Sequence, residues 1–280
     1  MSELAHTLAP VLSADDLERV SRLIYRHTGM TFGETKRYYI ERRIADRIAR
    51  TGARDIHTYL ALAEAGAEAE QIVNAFTVNE TYFYREEHQL AALSNAILPE
   101  IVKDRRPGDL VRIWSMPCST GEEPYSIAIW LLENWPLVDA YNIEIVGSDI
   151  DTAALAKAAV GKFNERSLAR LPDTVREAYF EPDQRQRRKI IDDLRESVRF
   201  TAANLVDPVS VAAQGRFDVV LCRNLLIYFD DESRRAATDN IYDCLNPGGY
   251  LCLGHSESMA RISDRFALVR LDDAIVYRKP

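Results

Sequence analysis

The stretch VRIWS (111–115), followed without a break by MPCSTGEEPYS (116–126), decides the fold. A run dense in β-branched and aromatic residues, then a turn of small polar residues around Gly121, then the apolar helical run SIAIWLLENW (126–135), is how a parallel strand hands over to its crossover helix. The unit recurs downstream as IEIVGS (143–148) with a helix from Thr152, SVRFTAA (197–203), FDVVLC (217–222) with a helix from Glu232 to Leu245, and YLCLG (250–254). Such alternation predicts right-handed crossovers and a doubly wound, mainly parallel α/β sheet. The end of the chain, FALVRL, DD, AIVYRK (266–279), reads as a hairpin turning at Asp272 and Asp273, so the last strand runs antiparallel to its neighbour. The long connection between the second and third sheet strands, 161–196, predicts a small inserted subdomain with a short helix around Pro172 to Tyr179 and a strand pair.

Upstream the pattern is different. Four helices are predicted before residue 80: Asp15 to His27, capped by Ser13 with Asp16 three residues on and closed by Gly29; Thr35 to Thr51, closed by Gly52, with Ile40, Ile44 and Ile48 in one stripe; His57 to Ala65; and Ala67 to Phe76. The chain thus divides into an all-helical domain (1–78), a linker (79–97) and an α/β domain (98–280) carrying the insertion 161–196.

Composition narrows the function. Apolar residues make up 47% and charged residues 28% of 280, the profile of a globular protein. The sum of 35 basic and 43 acidic residues is −8, which disfavours a nonspecific nucleic-acid binder. The most apolar stretch, Ser126 to Leu132, is far shorter than a membrane span, and MSELAHTLAP lacks the basic start of a leader, so the expectation is a cytoplasmic protein without membrane insertion. Cys118, Cys222, Cys244 and Cys252 form no CxxC pair, which predicts reduced, partly buried thiols and no metal site. A monomer is expected, since no uninterrupted apolar face is left over.

In a parallel sheet the ligand lies beyond the carboxyl ends of the strands. The first turn, with one glycine and two acids, Glu122 and Glu123, suits a cofactor bearing a protonated amine better than a pyrophosphate, although Thr120 with Glu123 also has capping-box spacing. Asp149 ends the second strand, where an acid can accept both hydroxyls of a ribose, or else share a helix cap with Asp151. Asn204 and Leu205 follow the third strand, as an adenine-facing amide or as turn residues. Arg223 and Asn224 end FDVVLC among apolar neighbours, with Tyr228 and Phe229 close behind. His88 and His255 lie near these motifs and read as structural histidines.

NETYFYRE (79–86), CSTGEEPYS (118–126), GSDID (147–151), CRNLLIYF (222–229) and GHSES (254–258) together, in this order, resemble the CheR family, the methyltransferases that esterify glutamates of bacterial chemoreceptors. The resemblance implies a class I methyltransferase fold with S-adenosylmethionine as cofactor and S-adenosylhomocysteine as product. It implies that Asn79, Thr81, Arg85, Glu123, Asp149, Asn204, Leu205, Arg223 and Asn224 bind the cofactor, and that Arg85 and Tyr228 lie nearest the departing methyl group. The acceptor glutamate is ionised at neutral pH, so no general base is needed. Residues 36–54 carry a local charge of +5, and Lys36, Arg43, Arg47 and Arg50 fall in one stripe, which the resemblance makes a docking face for receptor methylation helices and which otherwise reads as a solvated face. The segment EPDQRQRRKII (181–191) is short and glycine-free, unlike that of members that grip a receptor's C-terminal pentapeptide, so the tether-independent type is expected, with Arg185 to Lys189 charging an edge strand. The alternatives are a non-catalytic module sensing S-adenosylmethionine or S-adenosylhomocysteine, a nicotinamide dehydrogenase, which lacks its glycine-rich turn here, and a nucleic-acid methyltransferase.

Overall fold

The computed structural model describes residues 11–183 and 187–280, which divide into two units: 11–78 with 228–230, and 79–227 with 231–280. The first unit is helical: α1 (Ala14–Thr28), α2 (Arg37–Thr51), α3 (Ile56–Glu64) and α4 (Ala69–Phe76). The Ser13 hydroxyl accepts the Asp16 N–H at 3.1 Å, and the Asp16 carboxylate reaches back to the Ser13 N–H, which satisfies amide groups that helix geometry leaves unpaired. Gly29 (φ 71°) and Gly52 (φ 70°) end α1 and α2 in left-handed conformation, as expected. Ile40 and Ile44 are fully buried with Val20, Ile24, Tyr59 and Phe76, and Ile48 packs at the edge of this core. Residues 228–230 join this unit through the Met30–Phe229 bridge and a hydrogen bond from the Thr31 N–H to the Tyr228 carbonyl.

The second unit opens with α5 (Glu87–Ala92) and α6 (Leu98–Val102), joined by a π-helical turn, followed by β1 (Leu110–Ser115), α7 (Glu122–Asn134), β2 (Asn142–Asp149) and α8 (Thr152–Val160). The insertion holds β3 (Lys162–Asn164), α9 (Glu165–Leu168), α10 (Asp173–Tyr179), β4 (Phe180–Asp183), β5 (Arg187–Ile190) and α11 (Asp192–Ser197). Then come β6 (Val198–Ala202), α12 (Pro208–Ala212), β7 (Phe217–Cys222), α13 (Asp231–Cys244), β8 (Leu245–Leu253), β9 (Ala267–Arg270) and β10 (Ile275–Arg278).

The main sheet has the order β6-β2-β1-β7-β8-β10-β9. All pairings from β6 to β8 are parallel, and β10 runs antiparallel to both β8 and β9. This is the class I methyltransferase arrangement that the resemblance implies, and it follows from the sequence: β7 is buried at all six positions and apolar at all but Asp218, which pairs with Arg105, so it reads as a nearly unbroken apolar run rather than an alternation. Trp114 of β1 stacks on Phe217 of β7 and donates to the Ser148 hydroxyl of β2 at 2.8 Å, so the core also fixes where the three strands end.

The insertion is richer than expected: it holds three short helices, α9, α10 and α11, rather than one. It contains three antiparallel strands, β3-β5-β4, rather than a pair, because the short segment Lys162–Asn164 pairs with β5. Arg187, Arg188 and Lys189 therefore lie on the central strand and not on an edge, while Arg185 lies outside the described residues. Among the described residues no helix is long and apolar enough to cross a membrane, and the four thiols are buried and free.

Candidate functional site

The exits of β1, β2 and β7 and the segment 79–86 converge in the second unit. After β1 the chain turns through Ser119 (φ 49°) and Gly121 (φ 95°) into α7. Gly121 is the N-cap, so the alternative reading of Thr120 and Glu123 as a capping box is not realised; the Thr120 hydroxyl instead donates to Glu122 at 2.6 Å. Only glycine fits at 121, because a Cβ there would meet the Ala158 Cβ of α8 at 2.9 Å. Glu122 is buried, accepting also from the Ser167 hydroxyl at 2.9 Å, and burial raises its pKa. Glu123 accepts the Ser115 hydroxyl at 2.7 Å and an Arg223 N–H at 2.8 Å; burial raises its pKa, against the pull of Arg223.

Asp149, at the end of β2, is 3% exposed. One carboxylate oxygen accepts the Ser119 N–H at 2.7 Å and the other the Asp151 N–H at 2.9 Å. Burial nevertheless pushes its pKa up to about 6, with the nearby Asp151 charge acting in the same direction. The cap of α8 is Asp151, which accepts the Ala154 N–H at 2.9 Å, so Asp149 is not the helix cap. Asn79 fastens the two turns together: its amide donates to Asp151 at 2.7 Å and its carbonyl accepts the Ser119 hydroxyl at 2.9 Å.

Arg223, beyond β7, is the centre of a buried ion-pair network. Its side chain is 3% exposed and lies 2.8 Å from Glu123 and 3.4 Å from Glu86, with a further hydrogen bond to the Arg85 carbonyl. Burial acts to raise the Glu86 pKa, but Arg223 and His255 together hold it below the usual value. The exposed His255 ring stands 2.9 Å from Glu86. The Arg85 guanidinium donates to the Glu80 carbonyl at 2.8 Å and lies 5.7 Å from the Tyr82 ring centroid. Thr81 is half-buried. Asn224 (φ 60°) donates its backbone N–H to Glu257 at 2.7 Å.

The structure thus brings Asn79 and Asp149 together at one corner, and Arg85, Glu123 and Arg223 at another. Asn204 and Leu205 stand beyond β6; the Asn204 carbonyl oxygen of the side chain accepts the Val206 N–H at 3.2 Å, as in an Asx turn, and Leu205 is buried. Tyr228 belongs to the helical unit. Lys36, just before α2, and Arg50 on it are exposed, and Arg43 lies over the Tyr39 ring at 5.1 Å. Arg47 departs from the expected stripe: it pairs with Glu68 at 2.6 Å, both side chains near one-tenth exposed, because α4 begins beside it.

Sequence reasoning assigned no role to Ser119, Glu86 or Glu257. All three sit in quoted motifs, but a polar residue in a motif carries no local signal of which amide, carboxylate or guanidinium it will meet.

The donor set fits a nucleoside without a phosphate. Acids occupy the first turn of α7 and the end of β2, where an anion would be repelled and where ribose hydroxyls and a protonated amine find acceptors. Residues 79–275 match the family model described as CheR methyltransferase, SAM binding domain, and residues 15–77 match CheR methyltransferase, all-alpha domain. The chain is 48% identical to chemotaxis protein methyltransferase 2 of Vibrio cholerae, over 96% of this chain and 94% of the relative. It is 32% identical to a chemotaxis protein methyltransferase of Vibrio parahaemolyticus over 96% of this chain and 98% of that protein, and 31% identical to chemotaxis protein methyltransferase Cher2 of Pseudomonas putida over 94% and 97%. The chain belongs to the CheR methyltransferase family, with an all-helical domain followed by an S-adenosylmethionine-binding domain.

Proposed function

We propose that the protein methylates glutamate side-chain carboxylates of chemoreceptors, as a protein-glutamate O-methyltransferase acting in the cytoplasm. The observation that carries this reading is the buried Asp149 carboxylate at the end of β2, tied through Ser119 and Asn79 to the acid-bearing turn of the S-adenosylmethionine-binding domain. The names of the relatives supply the receptor setting. When bound, S-adenosylmethionine supplies a sulfonium-activated methyl group. Asp149 accepts ribose hydroxyls, Glu123 orients the amine, and Asn79, Thr81, Asn204, Leu205, Arg223 and Asn224 complete the enclosure. Arg85 orients the acceptor carboxylate and Tyr228 lines the path of the methyl group.

The chemistry asks for orientation and exclusion of water, because the acceptor has no proton to lose at neutral pH. The thiols near the site agree: burial drives Cys118 and Cys222 well above the ordinary thiol pKa, so neither is poised as a nucleophile. Lys36, just before α2, and Arg43 and Arg50 on it offer positive charge to acidic receptor helices.

The test is calorimetric titration with S-adenosylhomocysteine, S-adenosylmethionine and NADH, followed by transfer of labelled methyl to receptor fragments as base-labile esters. Binding of both sulfur compounds and transfer to glutamate are expected, with Arg85→Ala and Tyr228→Phe lowering turnover. Binding without transfer would favour a sensory module, and near-normal turnover in both variants would remove their assignment.

A further inference from the structure

Glu257 lies outside every role given above, yet its carboxylate gathers the turns that follow two neighbouring strands. One oxygen accepts the N–H of Asn224 at 2.7 Å and of Gly254 at 2.9 Å; the other accepts the N–H of Leu226 at 2.7 Å, and the Ile227 N–H also bonds to the group. Asn224 sits in the left-handed region at φ 60°, a conformation that asparagine tolerates but that still needs outside support. Gly254 closes the other side: a Cβ there would stand 2.8 Å from the Asn224 side-chain nitrogen and 2.9 Å from the Glu257 carboxylate. A carboxylate facing several backbone amides can hold a turn that no local hydrogen bond fixes.

We infer that Glu257 is a positioning residue for cofactor binding, acting through Asn224: it holds the backbone of residues 224–227 so that the Asn224 amide keeps one direction against Gly254. The inference rests on the proposal that Asn224 faces S-adenosylmethionine.

A double-mutant cycle tests it, with the dissociation constant of S-adenosylhomocysteine and the thermal midpoint measured for wild type, Glu257→Gln, Asn224→Ala and the double variant. A glutamine keeps the shape but turns an N–H₂ toward an N–H, and the lost charge-assisted bonds should weaken binding about tenfold. Asn224→Ala should also weaken binding, and the double variant should bind no worse than about twofold below the weaker single variant. Additive losses, or a Glu257→Gln protein that melts earlier yet binds normally, would make Glu257 a structural residue only and overturn the inference. If Glu257→Gln does not fold, Gly254→Ala displaces the same amide from the opposite side and should show the same non-additivity with Asn224→Ala. Failure of the wild type to bind S-adenosylhomocysteine would instead bring down the functional reading itself.

Discussion

Asp149 makes the ligand-free protein less stable as pH rises, and the size of the effect follows from its burial. Its folded pKa, about 6, lies above the ordinary aspartate value of 3.8, so the folded state holds this proton more tightly than the unfolded chain does. The favourable contribution is therefore complete below pH 3.8 and is lost as pH rises through about 6. Fully ionised, the group costs the fold about 3 kcal/mol relative to an unshifted aspartate. Between pH 5 and pH 8 the change is about 1.4 kcal/mol. Asp149→Asn removes the titration, so the stability difference between wild type and variant should fall by that amount across this window, whatever constant offset the amide introduces. Guanidinium unfolding at several pH values, followed by tryptophan fluorescence, would measure it, since Trp114, Trp130 and Trp135 are all buried in the sheet unit. A flat difference would refute the desolvation argument, and a wild type gaining on the variant with pH would mean that the carboxylate is held charged. A second arm links this to ligand: hydroxyls donated to the carboxylate lower its pKa, so binding of S-adenosylhomocysteine at pH 6 should release about half a proton. Calorimetry in two buffers of different ionisation enthalpy would detect it, and proton uptake would count against the ribose role.

Three further outcomes are expected. Arg223→Met leaves Glu123 and Glu86 buried without their cation, which should lower stability by about 3–5 kcal/mol in the same unfolding assay. Charge reversal on α2 should separate two functions: Arg43→Glu with Arg50→Glu should slow receptor methylation at low salt while leaving cofactor affinity unchanged, whereas Arg47→Glu should cost stability through repulsion from Glu68. Gly121→Ala should lower the thermal midpoint, costing more than about 1 kcal/mol, because φ of 95° and the 2.9 Å approach to Ala158 both oppose a side chain.

How much of this was legible in the chain depends on the range of the interaction that decided it. Ser13 with Asp16, Gly29 after α1, and the Asp272–Asp273 turn act within a few residues, and β7 announces itself as six buried positions in a row. The third strand of the insertion, the Arg47–Glu68 pair and the grip of Glu257 on Asn224 do not, since each is settled by a partner some 20 or more residues away. The site sharpens the point. Among the described residues, positive φ without glycine occurs at Tyr84, Glu86, Ser119, Asn224 and Arg261, and the first four lie in segment 79–86 or at the exits of β1 and β7. Such backbone costs on the order of 1 kcal/mol or more at each position and persists only where surrounding contacts over-determine it. Those contacts are visible here: Ser119 is held by Asp149 and Asn79, Glu86 by Arg223 and His255, Asn224 by Glu257. Local rules fail at these residues because non-local contacts decide their backbone, and the departures from propensity gather where the proposed site lies.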